Sequence, residues 1–192
     1  KYDSSGSEIW QRRCYNNGDD FIRPLFSKVD SNDNLIVASY YKGDSTLMDY
    51  LTYKYNSAGN LLWSKTYDGG VRNTDWINDM TIDSENNIII TGTSRGMGSS
   101  YDFMTIKYSP SGNELWQNRF NDSVNSSDEN TRVALDSKQN VLVFGTVSSE
   151  YSALCFYNKN GNLISNFRNY SMKNAASVNI DKNDYPVLVG LR

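Results

Sequence analysis

The sequence predicts an all-β protein built from repeated four-stranded antiparallel sheets. Three observations predict it: one ten-residue signature returns every roughly 50 residues, a second returns between its copies, and no stretch carries the 3.6-residue apolar period of a helix.

The first signature opens on Lys-Tyr, passes a Gly and ends on Trp. It runs from Lys1-Tyr2 through Gly6 to Trp10, from Lys54-Tyr55 through Gly59 to Trp63, and from Lys107-Tyr108 through Gly112 to Trp116. A worn fourth copy has Phe156-Tyr157, Gly161 and Ser165 in place of Trp. The second signature is an apolar residue, Asp, a short polar turn and an apolar run. Its copies are Val29-Asp30 to Val37, Ile82-Asp83 to Ile90, Leu135-Asp136 to Val143 and Ile180-Asp181 to Leu188. Ser39, Gly92, Gly145 and Gly190 follow at one fixed spacing.

Both signatures are β-hairpins. An Asp/Asn/Ser/Gly cluster between apolar runs closes antiparallel strands, because Asx side chains bond their own turn and Gly supplies the left-handed residue. Two hairpins make four strands, expected in the second full repeat over 80–83, 87–92, 102–108 and 113–120. Four short antiparallel strands per repeat, rich in β-branched and aromatic residues, describe the blade of a β-propeller. The repeated Trp, four residues past the turn Gly, is expected to pack between adjacent blades.

The divisions are a half-blade over 1–20, blades over 21–69, 70–122 and 123–172, and a half-blade over 173–192. The chain reads as one propeller domain or arc. Three complete blades lie between two half-blades, which close as a fourth blade if they pair. The arrangements left open are a self-closed ring of four, an arc of a larger ring, and two arcs joined head to tail through open blade edges.

With 192 residues and 38% hydrophobic content, the chain can bury a substantial core. Its net charge of −3 argues against nucleic acid as a partner, and its longest apolar runs are strand-sized, so no membrane insertion is expected. The start at Lys1, with neither Met nor an apolar leader, reads as a mature or excised part of something longer. The two cysteines, Cys14 and Cys155, lie in different repeats and read as packed thiols. There is no His, which removes the commonest general base and metal ligand together. The Asp-rich turns lack the order of a calcium loop and read as Asx turns, so neither metal nor cofactor is expected.

Candidate ligand-binding residues gather where the inter-blade loops and the loops between the second and third strands of a blade emerge. Asp19, Asp20, Asp75, Asp128 and Glu129 precede the first strand of successive blades, where they cap backbone or, as a carboxylate pair, could cleave a glycoside. Arg23, Tyr40, Tyr41, Arg72, Trp76 and Arg95 share that face; aromatic rings mixed with Arg and Asp suit stacking on sugar or gripping peptide.

The whole pattern, Lys-Tyr-x-x-x-Gly-Asn-x-x-Trp followed by apolar-Asp-x-x-x-Asn and an apolar run ending near Gly, resembles the SBBP-type β-propeller repeat of bacterial and archaeal secreted or surface proteins. The resemblance covers essentially the whole chain. It implies a propeller and an extracellular or cell-surface setting in a prokaryote, and it carries no site residues. The expected function is a noncatalytic recognition or scaffolding module that binds carbohydrate or protein through its loop face. The alternatives are a glycan-active hydrolase using the acidic ring and a purely structural spacer.

Overall fold

The computed structural model describes residues 1–13, 22–42, 47–70, 73–122, 127–148 and 150–192. It is all-β, and no helix occurs among the described residues. Three four-stranded antiparallel sheets follow one another: β1 (Ile22–Val29) to β4 (Leu61–Tyr67) by way of β2 (Leu35–Tyr41) and β3 (Asp49–Tyr55); β5 (Trp76–Ile82), β6 (Ile88–Arg95), β7 (Tyr101–Tyr108) and β8 (Glu114–Phe120); and β9 (Asp128–Leu135), β10 (Val141–Val147), β11 (Tyr151–Tyr157) and β12 (Leu163–Asn169). A two-stranded sheet of β13 (Asn174–Ile180) and β14 (Pro186–Leu191) ends the chain. Strand order within each sheet is chain order, as hairpin connections dictate.

The first strands begin earlier than the sequence predicts. β5 starts at Trp76, ahead of the expected position 80, because pairing continues past a bulge between Ile77 and Asp79. Bulges recur at the matching place in β1 and β13. A bulge leaves one residue unpaired and turns the strand without ending it, so polar residues that read as loop belong to the sheet.

The core lies between sheets. Ile36 and Ala38 of β2 meet Ile88, Ile90, Met104 and Ile106 of the next sheet; Ile89 of β6 meets Val141 and Val143 of β10; Leu142 and Phe144 of β10 meet Val178 of β13 and Leu188 of β14. Alternate residues of one strand thus serve two junctions, which is why Ile88-Ile89-Ile90 is an unbroken apolar run. Each fully buried Ile contributes about 1.5–3 kcal/mol relative to exposure.

The opposite ends of the strands carry a repeated latch. The indole N–H of Trp10 donates to the Ser57 carbonyl (3.0 Å), that of Trp63 to Pro110 (3.0 Å) and that of Trp116 to Lys159 (3.1 Å), each acceptor lying in the turn of the following sheet. The lysines of the same signature join them. Lys54 Nζ reaches Asp30 (2.8 Å) and the Pro110 carbonyl (3.1 Å), and Lys107 Nζ reaches Asp83 (2.8 Å) and the Lys159 carbonyl (3.3 Å). Both ion pairs are buried. The third sheet has Phe156 and Ser165 at these positions and lacks the latch.

Gly112 shows why the turn needs glycine twice over. It sits at φ +85°, and a Cβ there would lie 2.9 Å from the Trp63 ring. Gly112→Ala is expected to destabilise the chain by about 2–3 kcal/mol, combining the left-handed penalty with displacement of the indole. Urea unfolding checks it, with the solvent-open Gly6→Ala expected to cost less, since nothing lies within 4 Å of a Cβ there.

The two half-units do not form a fourth sheet in this structure. Among the described residues β14 pairs only with β13, while Tyr2 bridges to Glu8 within its own hairpin.

Candidate functional site

The loop face is built where strands β6 and β7 of the second sheet meet the connection into β5. Tyr101, at the head of β7, pairs in register with Arg95 at the end of β6. Its ring lies 5.2 Å from that of Trp76, and its hydroxyl donates to Asn73 Oδ1 at 2.8 Å. Beside them an open cleft of about 570 Å³ is lined by Asn73, Arg95 and residues 96–100. Arg95 is solvent-exposed, as is Met97.

That loop is held from beneath. Ser99 Oγ donates to Asp102 Oδ2 (2.7 Å), and Arg119 Nη1 donates to the same oxygen (3.0 Å) and to the Ser94 carbonyl (2.6 Å). Arg119 Nη2 also donates to the Tyr67 hydroxyl at 3.2 Å, tying the first sheet to the second. The buried Asp102 is therefore the anchor on which the cleft wall rests. A smaller cleft of about 230 Å³ is lined by Trp76, Asn78, Thr93 and Glu129. It places an indole and a carboxylate on one opening, with Thr93 Oγ1 donating to Asn78 Oδ1 at 3.0 Å.

Asp75 and Asp128 occupy matching positions, each below its loop. Asp75 Oδ2 accepts the Gly69 N–H (2.8 Å) and Asp128 Oδ2 accepts the Asp122 N–H (3.2 Å). They are 1% and 0% exposed, so neither presents its carboxylate to a solvent-borne substrate. Burial pushes Asp75 up to about 6, with Asp49 and Asp68 adding to the rise. Burial likewise pushes Asp128 up to about 7, helped by Asp102, Asp122 and Glu129. Asp128 Oδ1 has no hydrogen-bond partner among the described residues.

Carboxylate oxygens of Asp49, Asp68 and Asp75 lie within 4.8 Å of one another, the one such trio among the described residues. Hard cations favour that spacing, but Asp75 already accepts from the Gly69 N–H and the Ser94 side chain.

The remaining expected site residues are dispersed. Arg23 Nη1 donates to the Tyr40 hydroxyl at 3.2 Å on the first sheet, where Tyr40 is buried and Tyr41 half-buried. Arg72, Asp19 and Asp20 lie outside the described residues. The structure thus joins Trp76 to Arg95 through Tyr101, adds Glu129 to Trp76, and buries Asp75 and Asp128 below separate loops. Sequence reasoning passed over Asn73, Asn78, Asp102 and Arg119. Arg119 left a signal, since Arg168 recurs at the same point of the third sheet and pairs with Asp122.

No family model matches the chain, and no curated protein matches it. Among solved structures, a protein of unknown function from Bacteroides caccae is 12% identical over 96% of this chain, with a TM-score of 0.58. The chain spans 57% of that protein's length. A GH43 glycoside hydrolase whose active site was engineered for endo-xylanase and exo-arabinofuranosidase activity is 10% identical over 85% of this chain and 39% of its own, with a TM-score of 0.49. At 12% identity the similarity to the Bacteroides caccae protein is one of fold.

Proposed function

We propose that the chain is a β-propeller arc serving as a noncatalytic recognition module, and that it takes carbohydrate on its loop face beside Trp76 and Tyr101. The propeller reading rests on repeated sheets stacked in chain order, each first strand packing against the sheet before it. The observation that carries the carbohydrate reading is the Trp76–Tyr101 ring pair, with Tyr101 bonded to Asn73 and in register with Arg95 of one cleft, and Trp76 sharing a second cleft with Glu129. Aromatic faces stack on the C–H faces of a sugar ring, while amide, guanidinium and carboxylate groups read its hydroxyls. An extracellular or cell-surface setting follows from the repeat resemblance, and no cofactor is needed.

Calorimetry or NMR titration against a soluble glycan panel tests this. Trp76→Ala is expected to weaken the binding found by tenfold or more, and Arg95→Ala by a smaller factor, with thermal midpoints little changed. A panel in which no glycan binds, or binding untouched by Trp76→Ala, overturns it in favour of a spacer. The alternative is a hydrolase that uses the raised Asp75 and Asp128, as general acids are tuned upward, but both carboxyls are buried away from solvent-borne substrate. It requires turnover that Asp75→Asn abolishes.

A further inference from the structure

Among the described residues each junction between successive complete or terminal sheets is made in the same way. Alternate residues of a second strand face the next sheet: Ile36 and Ala38, then Ile89, then Leu142 and Phe144. Receiving them are the complementary alternates of the next second strand, together with the last residue of its first strand, which is Ile82, Leu135 or Ile180. Turns then join edge to edge: the N–H of Ser31 donates to Asn86 (3.0 Å), that of Ser84 to Gln139 (2.9 Å) and that of Ser137 to Asp184 (2.8 Å). Within each complete sheet of the latched type, the signature Lys pairs with the turn Asp, as in Lys54–Asp30 and Lys107–Asp83.

The two ends of the chain carry opposite halves of this junction. At the C-terminal end, Val187 and Val189 stand where Ile36 and Ala38 stand in the first sheet, yet they are 49% and 52% exposed. At the N-terminal end, Val29 stands where Ile82, Leu135 and Ile180 are packed, yet it is 61% exposed. It lines an apolar cleft of about 440 Å³ with Trp10 and Leu35. Charge follows the same division. Lys1 Nζ already reaches the Ser57 carbonyl (3.4 Å), as the other signature lysines reach theirs, but among the described residues no carboxylate pairs with it. Asp181, the matching turn Asp, has its Oδ1 on two backbone N–H groups and, among the described residues, no cation. Asp33 holds the turn position that accepts in Asn86, Gln139 and Asp184, and its counterpart across the junction is the N–H of Lys182.

We propose that the C-terminal two-stranded sheet of one copy docks on the N-terminal face of a second copy, head to tail. Val187 and Val189 then cover Val29, Leu35 and Val37, Lys1 of one copy pairs with Asp181 of the other, and Asp33 receives the Lys182 N–H. The half-unit of each end completes the half-unit of the other, in a heterologous interface that continues the chain's own three junctions.

Light scattering on the 192-residue chain over a concentration series reads the association. The expected result is a mass of two chains or more, falling toward 21.8 kDa on dilution. Val189→Asp and Val29→Asp should each weaken association tenfold or more while leaving the thermal midpoint in place, because both side chains face solvent in the single copy. An equimolar mixture of the two variants should regain association, since each retains the face that the other has lost. Asp181→Asn should weaken it by a smaller factor. A mass of 21.8 kDa at every concentration, including that of a chain closed upon itself, overturns the proposal. So does association by either variant alone at wild-type strength, which would signify a face paired with its own kind.

Discussion

Asp83→Ala is expected to cost about 3–5 kcal/mol, because it strands the ammonium of Lys107 in a buried site. The carboxylate has several roles. Its Oδ1 accepts the N–H groups of Glu85 and Asn87 (2.9 and 2.8 Å), and its Oδ2 accepts from Asn87 Nδ2 and Lys107 Nζ, both at 2.8 Å. Burial alone would raise this carboxyl; the lysine and asparagine bonds outweigh it and hold it below the ordinary range. Removing Lys107 as well, in Asp83→Ala with Lys107→Met, should recover part of the loss, since no buried charge then lacks a partner. The third sheet supplies a control. Asp136 makes the same turn bonds, at 2.7–2.9 Å, but its sheet has Phe156 at the position where the other two have lysine. Asp136→Ala should therefore cost only the turn bonds, about 1.5–3 kcal/mol. Urea midpoints for the four proteins decide the matter; equal losses for Asp83→Ala and Asp136→Ala would mean that the ion pair contributes nothing.

That comparison shows what the repeat made legible. The hairpins were readable because Asp, Asn and Gly have turn geometries that leave marks in sequence, and the turns of each sheet lie where the two signatures put them. The pairing of Lys54 with Asp30 was not drawn, although both residues recur in register. It depends on the two hairpin turns of a sheet emerging at the same end, a fact about the folded sheet. The start of β5 lies ahead of position 80 because Trp76-Ile77-Asn78-Asp79 reads as loop, while the bulge between Ile77 and Asp79 carries pairing through it.

The loop face was legible in part. Trp76 and Arg95 are reachable from composition, since aromatic and Arg residues cluster in those loops. The ring contact with Tyr101, which brings them together, comes from register. Arg119 acts from the far strand of its sheet, and no local pattern ties it to the cleft. Asp75 and Asp128 were marked as chemistry or capping. Their bonds to the Gly69 and Asp122 N–H groups are capping bonds, and their burial gives them a measurable consequence in stability.

Asp128→Asn is expected to stabilise the chain at pH 8 by about 2–4 kcal/mol and to remove most of the fall in stability between pH 5 and pH 8. The folded carboxyl is raised to about 7 from an ordinary 3.8, by burial first and by Asp102, Asp122 and Glu129 after it. Between those values the folded chain holds a proton that the unfolded chain has released. Stability is therefore greatest below about 4, declines as pH rises toward 7, and is level beyond. Asp75, raised to about 6, adds a smaller fall over a lower range. Asp30 and Asp83 act in the opposite sense: held low by their lysines, they contribute stability that is lost only as pH drops below the ordinary carboxylate range. The two sets together place maximum stability in mild acid. Asparagine keeps the acceptor for the Asp122 N–H and carries no charge, so it isolates the cost of ionising this one group. Urea midpoints at pH 5 and pH 8 read it directly. If wild type and Asp128→Asn lose the same stability over that interval, the buried carboxyl is not what makes the fold sensitive to base.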